Sequence, residues 1–167
     1  IADYAMRHAD KAELWRPLGE SLSQLRELFL YRHRLVRHRC SFEVRNSEKN
    51  LTLEKSPVKK LMRHSSDRII AQINREIAQC EKAIRELIAS DEEINRIYGI
   101  LTSMPGIGMI NAVCLIVYTE NFRRFGFNAR KIATYYGVAP FGKYSGTSIH
   151  TEPHVSPFAN RTIKSLL

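Results

Sequence analysis

From Leu18 onward the apolar positions Leu22, Leu25, Phe29 and Val36 keep a three-and-four rhythm, which predicts one long helix reaching to around Arg45. Arg32 falls on that seam and interrupts it. A second seam, Ile70, Ile73, Ile77, Cys80, Ile84 and Leu87, alternates the same spacings, is broken by Asp91 and resumes at Ile94. Its β-branched isoleucines suit a coiled coil or helix pair. Between the seams, residues 46–57 are polar and rich in helix-ending types, the expected turn of a helical hairpin. Two long helices joined by a short polar turn pack antiparallel, and one pair alone leaves apolar surface exposed. A dimer through the hairpin would cover it; so would a further domain. Ahead of the hairpin, the chain to about Ala12 has helical character, and Trp15-Arg16-Pro17 punctuates it, with Pro17 suited to the first turn of a new helix.

Tyr98 and Gly99 are expected to end the coil, and the pattern changes at once to Leu101-Thr102-Ser103-Met104-Pro105-Gly106-Ile107-Gly108, followed by the apolar run Val113 to Tyr118. A rigid Pro, two glycines bracketing Ile107 and then a helix-grade segment predict a tight turn between two helices, the second opening with free backbone N–H groups. Such amides favour an anion, and the pattern resembles the helix-hairpin-helix, a module that holds duplex DNA by its backbone. A Pro-Gly corner between two core helices is the plainer reading of Pro105, Gly106, Ile107 and Gly108. Next comes a polar, basic and aromatic connection, residues 120–131, then a short helix from Lys131 to Tyr136 closed by Gly137-Val138-Ala139-Pro140. Residues 141–157 show no hydrophobic period and read as a loop or short hairpin, and helix resumes at Asn160.

The fold class is therefore mainly all-α: a long antiparallel helical hairpin, then a small helical domain with the helix-hairpin-helix-like motif. Residues 1–16 read as the tail of a preceding domain, 17–98 as the hairpin and 99–167 as a C-terminal domain. Both ends look cut, since the chain enters mid-pattern and stops inside an amphipathic helix.

Charge narrows the class of partner. Against 17 Asp and Glu stand 26 Lys and Arg, a formal net charge of +9 that draws polyanions through a salt-sensitive field. Nucleic acid is favoured over acidic lipid, because no basic amphipathic helix with an aromatic face stands out and no long uncharged apolar run spans a membrane. The first long helix carries Arg32, Arg34, Arg37 and Arg39 with few acids to offset them, so RNA or DNA backbone contact stands there beside simple solvation. Cys40, Cys80 and Cys114 are widely spaced with no CxxC pair, and read as free thiols rather than metal ligands or a disulfide frame.

Four blocks in the second half carry a resemblance. They are Ser103-Met104-Pro105-Gly106-Ile107-Gly108; Ala129-Arg130-Lys131-Ile132-Ala133-Thr134-Tyr135-Tyr136-Gly137-Val138-Ala139-Pro140; Tyr144-Ser145-Gly146-Thr147-Ser148; and Val155-Ser156 with Ala159-Asn160 and Ile163-Lys164. In order and spacing they resemble the C-terminal transposase domain of the insertion-sequence one-ten family, relatives of the Piv-type DNA invertases, over residues 101–167. The resemblance implies a bacterial, cytoplasmic mobile-element recombinase in two halves, which meets the nucleoid when bound to DNA. Its N-terminal domain would resemble a Holliday-junction resolvase, with carboxylates holding Mg²⁺. Its C-terminal domain would supply a serine nucleophile, which by position in the Ser-Gly block is Ser145. Ser148 and Ser156 are the rivals, and an ordinary turn serine is the bland reading.

Some members of that family are guided by a bridge RNA, so a guide RNA joins double-stranded DNA among the candidate partners. A seryl ester with the cut strand would conserve bond energy for rejoining, and Gly146 lets backbone approach the phosphate. Lys143, Arg161 and Lys164 are candidate phosphate clamps near the serine; Arg123, Arg124, Arg130 and Lys131 are candidates beside the Pro-Gly turn. His150 and His154 lack partners at metal-ligand spacing and read as phosphate contacts or surface residues. Two departures from the family pattern are Ala159, where Gly is common, and Lys164, where Arg is common. A non-catalytic helix-hairpin-helix module of a repair or junction-binding factor is the alternative function. No metal site is expected in the chain itself.

Overall fold

A computed structural model describes residues 2–9, 17–47, 56–141, 144–145, 149–150, 152, 154–155 and 159–164; for Ser145 and Arg161, among others, the description is of the backbone alone. The chain is mainly all-α. A short helix α1 (Ala2–Arg7) precedes the long pair α2 (Glu20–Ser47) and α3 (Pro57–Ser90), then come α4 (Glu92–Thr102), α5 (Met109–Thr119), α6 (Ala129–Tyr136) and α7 (Arg161–Lys164). Between α6 and α7 lie β1 (Pro140–Phe141), β2 (Tyr144–Ser145), β3 (Ile149–His150) and β4 (His154–Val155).

The α2–α3 hairpin is antiparallel, and its register is written in side chains. Arg32 Nε donates to Glu81 Oε1 at 2.7 Å, Arg39 Nη1 to Asn74 Oδ1 at 3.3 Å, and Asn46 Nδ2 to Asp67 Oδ1 at 3.2 Å. Each step of seven along α2 is matched by a step of seven back along α3, the heptad repeat in polar form. The seam residue Arg32 is thus no defect: its charge is answered across the interface. Ser56 caps α3 by accepting from the Val58 N–H, and Pro57 sits at its first turn, where its missing N–H costs nothing. Pro17 does not have that role for α2, which starts at Glu20.

The core is concentrated at one end of the hairpin. Leu25 and Phe29 of α2 and Cys80, Ile84 and Ile88 of α3 are buried with Ile94, Ile97 and Leu101 of α4 and the stretch from Ala112 to Val117 of α5. Ile88 rather than Leu87 carries the last turn of the α3 seam, Leu87 being only partly buried. At the other end Val44, Val58, Leu61 and Met62 are exposed. The seam breaks where Asp91 ends α3 with its backbone and caps α4 with its side chain, accepting from the Ile94 N–H at 3.0 Å. Helix α4 then runs through Gly99 to Thr102, so Gly99 is a mid-helix residue and the turn begins three residues later than its presence suggests. Burial of Leu101 beneath α5 outweighs the modest cost of a helical glycine.

Helix α5 is the centre of the molecule. Ala112, Val113, Cys114, Ile116 and Val117 are almost inaccessible, as an all-round apolar helix requires. Burial pushes the Cys114 thiol up to about 12. Among the described residues no helix is long and apolar enough to cross a membrane.

Candidate nucleic-acid interface

The turn between α4 and α5 exposes Ser103, Met104, Pro105, Gly106 and Gly108, while Ile107 packs against the core. Gly106 sits at φ +89°, a conformation that any side chain would strain, and this fixes the need for glycine there. The Ile107 N–H closes the turn on the Met104 carbonyl at 3.2 Å. Gly108 starts α5 in extended geometry and gives its first amides no side-chain cap.

Beyond α5 the backbone winds through Glu120, Asn121 and Phe122, all at positive φ (53°, 56° and 67°). Three such residues in a row are costly, and specific bonds hold them. Thr119 Oγ1 donates to the Leu115 carbonyl at 2.6 Å and accepts from the Phe122 N–H at 3.0 Å, while the Asn121 N–H reaches the Ile116 carbonyl at 2.9 Å. A single 3-10 turn, Arg123–Phe125, follows. Arg123 pairs with Glu93 of α4. Arg124 lies over the rings of Phe125 and Tyr135, its guanidinium carbon 5.5 Å and 5.0 Å from their centroids. Asn128 Oδ1 caps α6 through the Lys131 N–H at 3.1 Å. Arg130 and Lys131 then place two exposed cations in the first turn of a helix that has no acid there, against the preference of the helix dipole. That arrangement suits a bound anion.

The short strands form a nested hairpin of two antiparallel pairs, β1 with β4 and β2 with β3. Pro140 pairs with Val155 and Phe141 with His154, then Tyr144 with His150 and Ser145 with Ile149. Two residues separate β1 from β2 and three separate β3 from β4, and the registers of the two pairs differ by one. Its base is closed by α6 and α7. Gly137 ends α6 at φ +66°, and a side-chain carbon built there would collide with the Ala159 methyl. Asn160 donates its N–H to the Tyr135 carbonyl at 3.1 Å and its Nδ2 to the Tyr135 hydroxyl at 3.2 Å. Its Oδ1 accepts from the Thr162 N–H at 3.1 Å and the Ile163 N–H at 3.4 Å, capping α7. Ile163 is buried beneath this cap.

With that geometry in place, residues 98–167 match the family described as Transposase IS116/IS110/IS902 family. This part of the chain is similar to that family. Among similar proteins is the "Insertion element IS110 uncharacterized 43.6 kDa protein" of Streptomyces coelicolor, 39% identical over 83 residues, 50% of this chain and 20% of that protein. The "Pilin gene-inverting protein" of Moraxella bovis and that of Moraxella lacunata are each 27% identical over 154 residues, 92% of this chain and 45% of theirs. The chain spans less than half the length of the curated relatives it matches.

Within the matched region, Ser145 is on β2, paired with Ile149 of β3. Lys143, Gly146, Ser148 and Ser156 lie outside the described residues. Arg161 opens α7, where only its backbone is described, and Lys164 closes it, exposed. On the helical hairpin the arginines divide. Arg32 and Arg39 are engaged with Glu81, Asn74 and Glu43, whereas Arg34 lies over Tyr31 and Arg37 is exposed.

Sequence reasoning passed over Tyr135, Asn160 and Phe127. The first two lie inside the matching blocks, and an Asn just ahead of a helix is itself a capping signal. Ala159, a departure from the family pattern, fits because Gly137 has no side chain to meet it. Tyr136 is buried with its hydroxyl unpartnered, and burial raises its pKa well above the ordinary tyrosine value.

Proposed function

We propose that this chain is the DNA-handling and nucleophile-bearing part of a transposase that cuts and rejoins DNA through Ser145. The turn at Pro105, Gly106 and Gly108, with the open start of α5, holds duplex phosphate by backbone amides. Arg123, Arg124, Arg130 and Lys131 add charge beside it. Ser145 Oγ attacks a phosphodiester phosphorus; the new O–P bond forms as the bond to the leaving strand breaks, and the departing oxygen takes a proton. The strand stays attached as a seryl phosphodiester until the free hydroxyl of another strand reverses the exchange.

Lys143, Arg161 and Lys164 are assigned to the phosphates around that serine. Among the described residues no group of three His, Cys, Asp or Glu is placed to hold a metal ion. Following the resemblance, Mg²⁺ and its carboxylates are assigned to a part of the protein outside this chain, where the ion would ease attack by polarising the phosphate.

What supports the reading most is the coincidence of the family match over residues 98–167 with a serine on a hairpin whose base is fixed by Gly137, Ala159 and Asn160. A fixed base is what precise delivery of a nucleophile needs. The exposed Val44, Val58, Leu61 and Met62 support a homodimer through the α2–α3 coil, and exposed Arg37 with Arg34 supports backbone contact to a guide RNA or DNA. The inversion activity named for the Moraxella relatives belongs to the same kind of strand exchange.

The test is Ser145→Ala in the full-length protein. Strand cleavage falls to background while duplex binding stays within about twofold, and a covalent protein–DNA adduct trapped from wild type maps to Ser145. An adduct on Ser148 or Ser156, or cleavage by the variant, removes Ser145 from the role.

A further inference from the structure

We propose that Phe127 is a stacking platform for an unpaired base of single-stranded DNA, a role that rests on the DNA-handling reading and gives it a second, non-duplex contact. Phe127 is 62% exposed, and its ring lies nearly parallel to that of Phe122, interplanar angle 16°, centroids 6.5 Å apart. Phe122 in turn packs against the core. The two rings form a short stack that starts in the interior and ends at the surface on an open aromatic face.

The backbone beneath is held in an unfavourable state to present that face. Phe127 sits at φ +55°, following Gly126 at the same angle, and a bulky residue there is a marked outlier. Its N–H is tied to the Phe122 carbonyl at 3.2 Å, which holds the two backbones, and so the two side chains, side by side. For packing alone, Asn or Gly would meet the conformation with less strain. On either side stand the exposed Arg123, Arg124, Arg130 and Lys131, the last two at the start of α6 where the helix dipole favours an anion. Cations that track a backbone beside an aromatic face are how proteins grip single strands, because every base offers a π-face. A duplex keeps its bases stacked inside and has no face to give. The occupant is therefore DNA that has been opened, as strand exchange requires.

The experiment compares a short unstructured DNA strand carrying one 2-aminopurine with a duplex of equal length, using the full-length protein. Wild type binds the single strand and quenches the 2-aminopurine fluorescence. Phe127→Asn, a residue at ease at this φ, weakens single-strand binding by about 5- to 100-fold and loses the quench, the loss expected of one base–aromatic stack. Its duplex binding stays within about twofold, which also certifies the fold. Phe127→Trp keeps both affinity and quench. The proposal fails if Phe127→Asn binds and quenches like wild type, if it loses duplex and single strand equally, or if only an RNA strand responds. Wild type that binds neither form of DNA would instead bring down the DNA-handling reading itself.

Discussion

The α2–α3 hairpin and the segment from Gly137 to Lys164 both hold distant stretches of chain together, and they do it by opposite means. The helical pair repeats itself: an apolar seam with a polar rung every seven residues, so that no single rung decides the register. The base of the β hairpin has no repeat. It depends on one glycine without room for a methyl and one asparagine making five hydrogen bonds. A repeated interface tolerates loss and a singular one does not, which is why the second suits a site that must be positioned and the first suits a scaffold.

The largest break in that comparison is at Gly137. Alanine there must adopt φ +66° and also displace the Ala159 methyl, costing about 2–4 kcal/mol in unfolding free energy from the left-handed strain and overpacking together. Combining it with Ala159→Gly clears the collision and leaves the strain, so the pair recovers about half of the loss in a denaturant-monitored double-mutant cycle. Additive losses would mean that the two residues are not in contact.

The hairpin should give less. Arg32 and Glu81 have side chains only 19% and 25% exposed, so Glu81→Ala strands a partly buried guanidinium and costs about 1–3 kcal/mol. Replacing both partners, Arg32→Met with Glu81→Leu, returns stability to within about 1 kcal/mol of wild type, because apolar side chains suit the seam that the pair interrupts. If the double variant is as unstable as Glu81→Ala, the rung carries register that the apolar seam cannot supply alone.

The same contrast explains what could be read from the chain beforehand. A repeat announces itself: Leu25, Phe29, Ile77, Cys80 and Ile84 are core positions by spacing alone, and the structure buries all of them. Spacing shows Asp91 interrupting the seam, but that it ends one helix and caps the next is visible only in the structure. Where spacing misled, tertiary packing overrode it. Gly99 continues α4 because Leu101 is buried, and Arg32 stays on the seam because Glu81 faces it. The site was legible only as a set of blocks. Periodicity has nothing to say about Tyr135 accepting from Asn160, a contact across 25 positions, or about Phe127, whose significance lies in a dihedral angle and an exposed ring.

The smallest effect concerns the end of the helical hairpin, where α3 gives way to α4. Asp91 ends α3 and caps α4, and the Ile94 N–H that its carboxylate accepts holds its pKa below the ordinary aspartate value. Asp91→Ala loses the cap and about 1 kcal/mol at neutral pH. Asp91→Asn keeps a capping oxygen without the charge, so it should trail wild type by less, about 0.3–1 kcal/mol, the worth of an anion at a helix start. The sign of the pH dependence separates the two contributions. A carboxyl whose folded pKa is depressed stabilises fully above its unfolded value, near 3.9, and loses that contribution as pH falls through the folded value. The gap between wild type and Asp91→Asn should therefore be flat from neutral pH to about 5 and close below about 4, while the gap between the Asn and Ala variants persists. A gap between wild type and Asn that does not change in acid would mean that the charge of Asp91 contributes nothing and the hydrogen bond alone makes the joint.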